Sequence, residues 1–222
     1  LAEKNPDDQV EPASITKLMT AYLVDKAIAD GDVTLDEMVT ISEKAWRMEG
    51  SKMFVGVDTQ VEVEDLLRGV IVQSGNDACI VLAEGIAGSE ENFALAMTER
   101  ATELGMLDST FTNSTGWPDP GQMMSARDLA TLALLLITEH SEYYSMFSER
   151  SFTWNGIRQG NRNPLLTLNI GADGLKTGHT SASGYGLVGS AEQNGRRIVM
   201  VINGLNSKSE RRREAKSLMS WG

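Results

Sequence analysis

The 222-residue chain contains one cysteine, Cys79, and two histidines, His140 and His179. A single cysteine excludes an internal disulfide and a CxxC pair, and is compatible with a reducing or an oxidising compartment. It lies in the apolar run "NDACIVLAEGIAG" and is expected to fill core rather than to react. No His, Cys or carboxylate cluster has ligand spacing, so neither a metal nor another cofactor is expected. Neither histidine accompanies a G-x-S-x-G elbow, which leaves a Ser-His-Asp triad unsupported, and His140 reads as the end of an apolar helix. No apolar run approaches the roughly 18 to 20 residues that cross a bilayer. Basic residues are in deficit, 20 Lys and Arg against 31 Asp and Glu for a net charge of −11. That balance excludes non-specific attraction to nucleic acid or to an anionic membrane face. The one basic cluster, Arg211 to Arg213, is expected to be a solvated helix face. Repeats, low-complexity segments and linkers are missing as well, so one domain over residues 1–222 is expected.

What is present is a chain of two periods. Helical spacing runs over Ser14 to Asp30, ending at Gly31, and again over about Val63 to Val72, Asn76 to Ile86, Glu90 to Leu104 and Ser125 to Thr138. The stretch "LATLALLLI" in the last of these is apolar nearly all round and is expected at the centre of the helical region. The final third shifts to strand pattern in "GYGLVGSAEQNGRRIVMVINGL", with Asn194 and Gly195 forming a tight hairpin turn. The unbroken run Ile198 to Ile202 predicts a strand covered on both faces, and Lys208 to Trp221 predicts a helix able to supply one cover. The expected fold is α/β (α+β): an antiparallel sheet covered by helices, with an inserted all-helical lobe.

Three short motifs occur once each, in order: "SITK" at Ser14 to Lys17, "SGN" at Ser74 to Asn76, and "KTG" at Lys176 to Gly178. Chance supplies about 0.7 SxxK and about 0.9 SxN matches in a chain of this composition but only about 0.05 KTG, so the ordered set carries the signal. Each has a structural alternative. Ser14 after Pro12 could be a plain helix cap, Ser74 to Asn76 a turn and cap, and Lys176 to Gly178 a strand ending in a turn.

The chemistry favours the set. A serine at a helix start has a free backbone N–H and the positive end of the helix dipole beneath it, which suits a developing oxyanion. Lys17 follows on the same face, roughly 5 to 6 Å away between Cβ atoms, near enough to take the hydroxyl proton. It can do so only when neutral. Burial lowers a lysine pKa, and a second cation such as Lys176 would lower it further. The pattern is that of nucleophilic catalysis without histidine.

The ordered SxxK, SxN and KTG set is the signature of serine β-lactamases and penicillin-binding proteins. Beyond the motifs, "EPASITKLMTAY", "LLRGVIVQSGNDACIVLAE", "MSARDLA", "FTWNGIRQGNRNPLL", "DGLKTGHTSASGYGLV" and "LMSWG" resemble the D-alanyl-D-alanine carboxypeptidases, the low-molecular-mass penicillin-binding proteins, over essentially the whole chain. The resemblance implies a β-lactamase/transpeptidase-like fold, Ser14 as acyl-ester nucleophile, Lys17 as its base and Ser74 as proton donor to the departing amine. It implies that Asn76 holds the substrate amide, that Lys176 and Thr177 of the Lys176 to Gly178 segment meet the terminal carboxylate, and that Arg162 adds a further carboxylate contact. The oxyanion hole would comprise the backbone N–H groups of Ser14 and His179. The implied partners are a peptidoglycan stem peptide and β-lactam antibiotics.

The family's N-terminal strands, C-terminal β-rich domain and amphipathic anchor have no counterpart here. A trimmed catalytic fragment of a periplasmic or otherwise extracytoplasmic protein is therefore expected, with membrane association only through regions outside this sequence. Two rival readings use the same residues. A class A-like β-lactamase requires a glutamate between the second and third motifs, and none occurs between Glu103 and Glu139. A non-catalytic peptidoglycan-binding scaffold would have no use for a nucleophile beside a base.

Overall fold

The structure is a computed structural model and describes residues 2–222. A 3-10 turn, Ala13–Thr16, leads directly into helix α1 (Lys17–Asp30). The helix expected from Ser14 thus opens with a tighter turn, and Pro12 rather than Ser14 occupies the cap position. Ser14 is left within the turn, with its hydroxyl unused for capping.

After α1 come strand β1 (Met38–Thr40), helix α2 (Glu43–Arg47), strand β2 (Gln60–Glu62), helix α3 (Val63–Arg68) and a π-type turn, Gly69–Gln73. Helices α4 (Asn76–Ala87), α5 (Glu90–Glu103), α6 (Ala126–Glu139) and α7 (Ser141–Tyr144) follow. Three of these helices, α2, α5 and α6, start at a serine whose Oγ accepts a backbone N–H: Ser42, Ser89 and Ser125. Each such cap stabilises its helix by about 1 kcal/mol. The lobe is not purely helical. β1 pairs with β2, and β3 (Ser151–Trp154) pairs with β4 (Ile157–Gly160), as two small antiparallel ribbons too short to impose a visible period.

The main sheet is antiparallel in the order β5-β6-β7, from β5 (Ala172–Thr180), β6 (Gly184–Gln193) and β7 (Arg196–Leu205). Asn194 and Gly195 close the β6–β7 hairpin with φ of 52° and 74°, as their type predicts. Alternation divides β6 between two cores. Leu187 and Ala191 join Leu165, Met200, Ala215 and Met219 under helix α8 (Lys208–Trp221), while Val188 joins the large core of the helical lobe. β7 carries α6 on one face and α8 on the other, as its continuous apolar run predicts.

Two expectations are corrected. The helix buried all round is α4, whose residues Asn76 to Ala83 are all inaccessible, and not α6. α6 packs Leu129, Leu132, Ala133 and Leu136 inward but leaves Leu134 half exposed, because the helix lies over the sheet edge with one face to solvent. Nor is the basic cluster wholly solvated. Arg211, Ala215 and Met219 recur every four residues along the buried face of α8, so Arg211 is buried and only its two neighbours are exposed. Cys79 is buried within α4, and burial pushes its thiol up to about 12, which makes it inert. His140 is the residue that follows α6, its ring set edge-on to Tyr22 at 4.9 Å.

Candidate active site

Two backbone conformations aim the first two motifs. Ala13, immediately before Ser14, has φ 51°, and Ser74 has φ 59°. Left-handed geometry is unfavourable for residues with a Cβ and persists where the surroundings impose it. Around Ala13 the surroundings are visible. A Cβ on Gly116 would fall on the Ala13 carbonyl, and one on Gly178 would lie 2.7 Å from the Pro12 oxygen and 2.9 Å from Ile15. The nucleophile turn is therefore clamped between the Gly116 loop and β5. Gly178 of the third motif is needed for close approach of the strand.

This packing brings the three motifs together. Lys17 Nζ lies 3.1 Å from Ser14 Oγ, 2.7 Å from Asn76 Oδ1 and 2.6 Å from the Thr115 carbonyl oxygen. The orientation of the Asn76 amide follows from its other end, since Nδ2 donates to the Glu49 carbonyl at 2.8 Å. Both of those Lys17 partners only accept. A neutral amine has two N–H donors and one lone pair, so giving its hydrogens to Asn76 and Thr115 directs the lone pair at the Ser14 hydroxyl. Lys17 is 1% exposed, and burial pushes its pKa down to about 8, with the Arg162 charge acting in the same direction.

Lys176 Nζ donates to Ser74 Oγ at 2.9 Å, and burial holds Lys176 well below the ordinary lysine range, helped by the charges of Lys17 and Arg162. Thr177 is buried beside it on β5, and His179 is exposed at the strand end with its ring 4.0 Å from that of Tyr185. Arg162 stands exposed on the far rim and donates to Ser51 Oγ at 2.7 Å. An open cleft of about 530 Å³ lies over Ser14, lined also by Glu11, Ser51, Asn76, Trp117 and His179.

The supporting residues were silent in the sequence. Thr115 contributes a backbone carbonyl, which any residue could supply. Asn113 Oδ1 accepts the N–H groups of Thr115, Gly116 and Trp117 at 2.8 to 3.2 Å, fixing that loop. Gln122 ties the same segment to the nucleophile turn through Thr16 Oγ1 at 2.9 Å. Asp77 accepts from the N–H groups of Met53, Phe54 and Val55 and so holds the opposite rim. Arg211, under the Tyr185 ring at 5.6 Å, adds positive charge behind Lys176. Among the described residues no group of three or more His, Cys, Asp or Glu is arranged to hold a metal ion. The arrangement is equipped for acyl transfer through a serine.

Comparison with known proteins agrees. The family model described as D-alanyl-D-alanine carboxypeptidase matches residues 1–207. The chain is 45% identical over 231 aligned residues to D-alanyl-D-alanine carboxypeptidase DacD of Escherichia coli (strain K12), covering 100% of this chain and 59% of that protein. It is 45% identical over 229 to DacA of Haemophilus influenzae, covering 100% and 58%. Its fold matches the crystal structure of penicillin binding protein 5 from Haemophilus influenzae with a TM-score of 0.97 at 44% identity, over 100% of this chain and 66% of that one. Penicillin binding protein 6B from Escherichia coli gives 0.95 at 45%, over 99% and 71%. The chain thus spans about three fifths of the length of these curated relatives.

Proposed function

Since the chain belongs to the D-alanyl-D-alanine carboxypeptidase family, we propose that its cleft removes the terminal D-alanine from peptidoglycan stem peptides through an acyl-enzyme on Ser14. The observation that carries this reading is the geometry at Lys17: a buried amine whose two hydrogens are claimed by carbonyl oxygens 2.7 and 2.6 Å away, with Ser14 Oγ at 3.1 Å. That distance is within the range in which a general base acts.

In this mechanism Ser14 Oγ attacks the carbonyl carbon between the two alanines while Lys17 takes its proton. The oxyanion is met by the backbone N–H groups of Ser14 and His179. Collapse of the tetrahedral intermediate breaks the C–N bond, and Ser74, backed by Lys176, delivers a proton to the departing amine and is restored by the proton that Lys17 took from Ser14, which leaves Lys17 neutral again. Water then attacks the ester, with Lys17 again accepting a proton, and Ser14 is regenerated. Lys176, Thr177 and Arg162 receive the substrate's terminal carboxylate, where Arg–carboxylate contacts are strong. Asn76 serves Lys17 with its oxygen and keeps one amide hydrogen for the substrate. Penicillins, which carry a strained amide and a carboxylate, acylate the same serine.

The class A-like alternative has less support, because no glutamate occurs between Glu103 and Glu139 to activate a deacylating water. A binding scaffold has no need of the Ser14–Lys17 contact. Action on wall peptides supports a location outside the cytoplasmic membrane, on the periplasmic side. No helix among the described residues is long and apolar enough to cross a membrane.

The test is covalent labelling by a fluorescent penicillin, together with D-alanine release from diacetyl-lysyl-D-alanyl-D-alanine. Stable label with slow release is the expected result, and Ser14→Ala abolishes both. Label that clears within seconds supports the lactamase, and no label supports the scaffold.

A further inference from the structure

Every backbone N–H from Thr112 to Trp117 is met by a side-chain oxygen. Gln122 Oε1 accepts those of Thr112 and Asn113 at 2.7 and 3.2 Å, and Asn113 Oδ1 accepts those of Thr115, Gly116 and Trp117. The remaining one, of Ser114, goes to Glu90 Oε1 at 3.2 Å, which also accepts the Ser114 hydroxyl at 2.8 Å. Gln122 and Asn113 belong to the loop's own stretch of chain. Glu90 opens α5, and it is the one charged group of the three.

A first-turn carboxylate ordinarily stays in water, where the helix dipole favours it, as Glu91 does. Glu90 is instead buried against the loop, with its Oε2 paired to the exposed Lys44 at 3.0 Å. It does not line the cleft. What it holds does reach the active lysine. The Ser114 carbonyl accepts from Thr20 Oγ1 at 2.6 Å, and the next carbonyl, that of Thr115, accepts from Lys17 Nζ at 2.6 Å. Lys17 and Thr20 are three positions apart on one face of α1. Ser114 thus gives its carbonyl to α1 and its N–H and hydroxyl to α5, and the Thr115 carbonyl is placed by that double hold.

We infer that Glu90 is a positioning residue for the base: by fixing Ser114 it keeps the Thr115 carbonyl where it claims one hydrogen of Lys17 and leaves the lone pair to Ser14. The inference rests on the hydrolytic reading above. The accepting oxygen, and not the charge, is the working part. Protonated Lys17 has three N–H donors for three acceptors, Ser14 Oγ, Asn76 Oδ1 and the Thr115 carbonyl. When the Thr115 carbonyl drifts, the ammonium loses a charge-assisted bond, which is stronger than the one a neutral amine makes, and the proton leaves at lower pH. The other charges acting around Lys17, those of Asp77, Arg162 and Lys176, are untouched by a change at Glu90.

Two substitutions separate reach from charge. Glu90→Asp keeps the charge and withdraws the oxygen by one methylene, whereas Glu90→Gln gives up the charge and keeps an oxygen at the same reach. The rate of Ser14 acylation by penicillin is measured against pH for each, beside the thermal transition. Glu90→Asp is expected to lower the plateau by about 10- to 10²-fold, as a misplacement of about 1 Å does, and to move the midpoint below the wild-type value near 8. Glu90→Gln is expected to stay within about threefold of wild type with its midpoint unmoved, since the pair it surrenders with exposed Lys44 is worth little. Ser114→Ala, which removes the hydroxyl bond alone, is expected to shift rate and midpoint in the direction of Glu90→Asp by a smaller amount.

A carboxylate that served only to stabilise α5 would give the reverse order, with Glu90→Asp keeping the wild-type profile and Glu90→Gln losing thermal stability. A wild-type profile in Glu90→Asp, or a fall in Glu90→Gln as deep as in Glu90→Asp, overturns the inference and leaves the hydrolytic reading standing. Should Glu90→Asp fail to fold, a wild-type profile in Ser114→Ala overturns it in the same way. Wild type that takes no label at Ser14 and releases no D-alanine overturns the hydrolytic reading and the inference with it.

Discussion

Lys176 Nζ and Ser74 Oγ lie 2.9 Å apart although 102 positions separate them in the chain. The contact joins the third motif to the second, as Lys17 and Asn76 join the first to the second at 2.7 Å. The cleft therefore holds two buried lysines, each with a serine hydroxyl within hydrogen-bond reach. In the proposed mechanism the work divides between the pairs: Lys17 with Ser14 forms the acyl bond, and Lys176 with Ser74 protonates the leaving group.

This division makes Ser74→Ala selective. An amine cannot leave without a proton, whereas a thiolate can. Hydrolysis of a D-alanyl-D-alanine amide is expected to fall by about 10²- to 10⁴-fold, the ordinary worth of a positioned proton donor. A thioester analogue with the same acyl group is expected to lose far less. Parallel kcat/KM measurements on the two substrates decide it, and equal losses would remove Ser74 from the protonation step.

Gly178→Ala tests the clamp. The new Cβ would meet the Pro12 carbonyl oxygen at 2.7 Å, Ile15 at 2.9 Å and the Ala13 Cβ at 3.2 Å. Two of those three neighbours are part of, or directly bonded to, backbone that cannot swing aside, so β5 and the Ser14 turn must separate. A displacement near 1 Å can cost about 10²-fold in rate. Penicillin acylation measured beside the thermal transition is expected to show a loss of rate well beyond the loss of stability.

Asp25 gives a pH prediction remote from the cleft. It is 1% exposed on α1, its Oδ1 has no partner among the described residues, and burial reinforced by the Glu142 charge raises its pKa well above the carboxylate norm. The folded state keeps a proton that the unfolded chain has released. Stability from this group is thus complete below the ordinary carboxylate value and declines as pH rises toward the raised folded value. Asp25→Asn removes the decline. Its Tm is expected to exceed wild type near neutral pH, by about 2–4 °C for each kcal/mol recovered, and the two are expected to converge in acid.

The three motifs were legible because each consists of chemistry-bearing side chains at fixed spacing, and the close fit of Ser14, Lys17, Ser74 and Lys176 follows from them. Thr115 was not, since it acts through its carbonyl. The same dipeptide is legible as a hairpin turn at one position and hidden at another. Asn194–Gly195 stood between two long strand patterns, but Asn155–Gly156, with φ of 45° and 76°, joins strands of four residues whose alternation is too short to register. In α6 the abundance of leucine hid a solvent face, and Arg211 read as solvated because charge alone does not reveal which side of α8 meets the sheet. Arg162 was found by resemblance and stands on the cleft rim through its bond to Ser51, a contact no spacing rule announces.

The central claim is that neutral Lys17 activates Ser14, and the most direct measurement is the rate of penicillin acylation as a function of pH, followed by intact mass with the modified peptide mapped. One adduct on the peptide containing Ser14 is predicted, forming at a rate that climbs with pH to a plateau about an apparent pKa near 8. A rate independent of pH across that range, or an adduct on any other residue, would contradict the account.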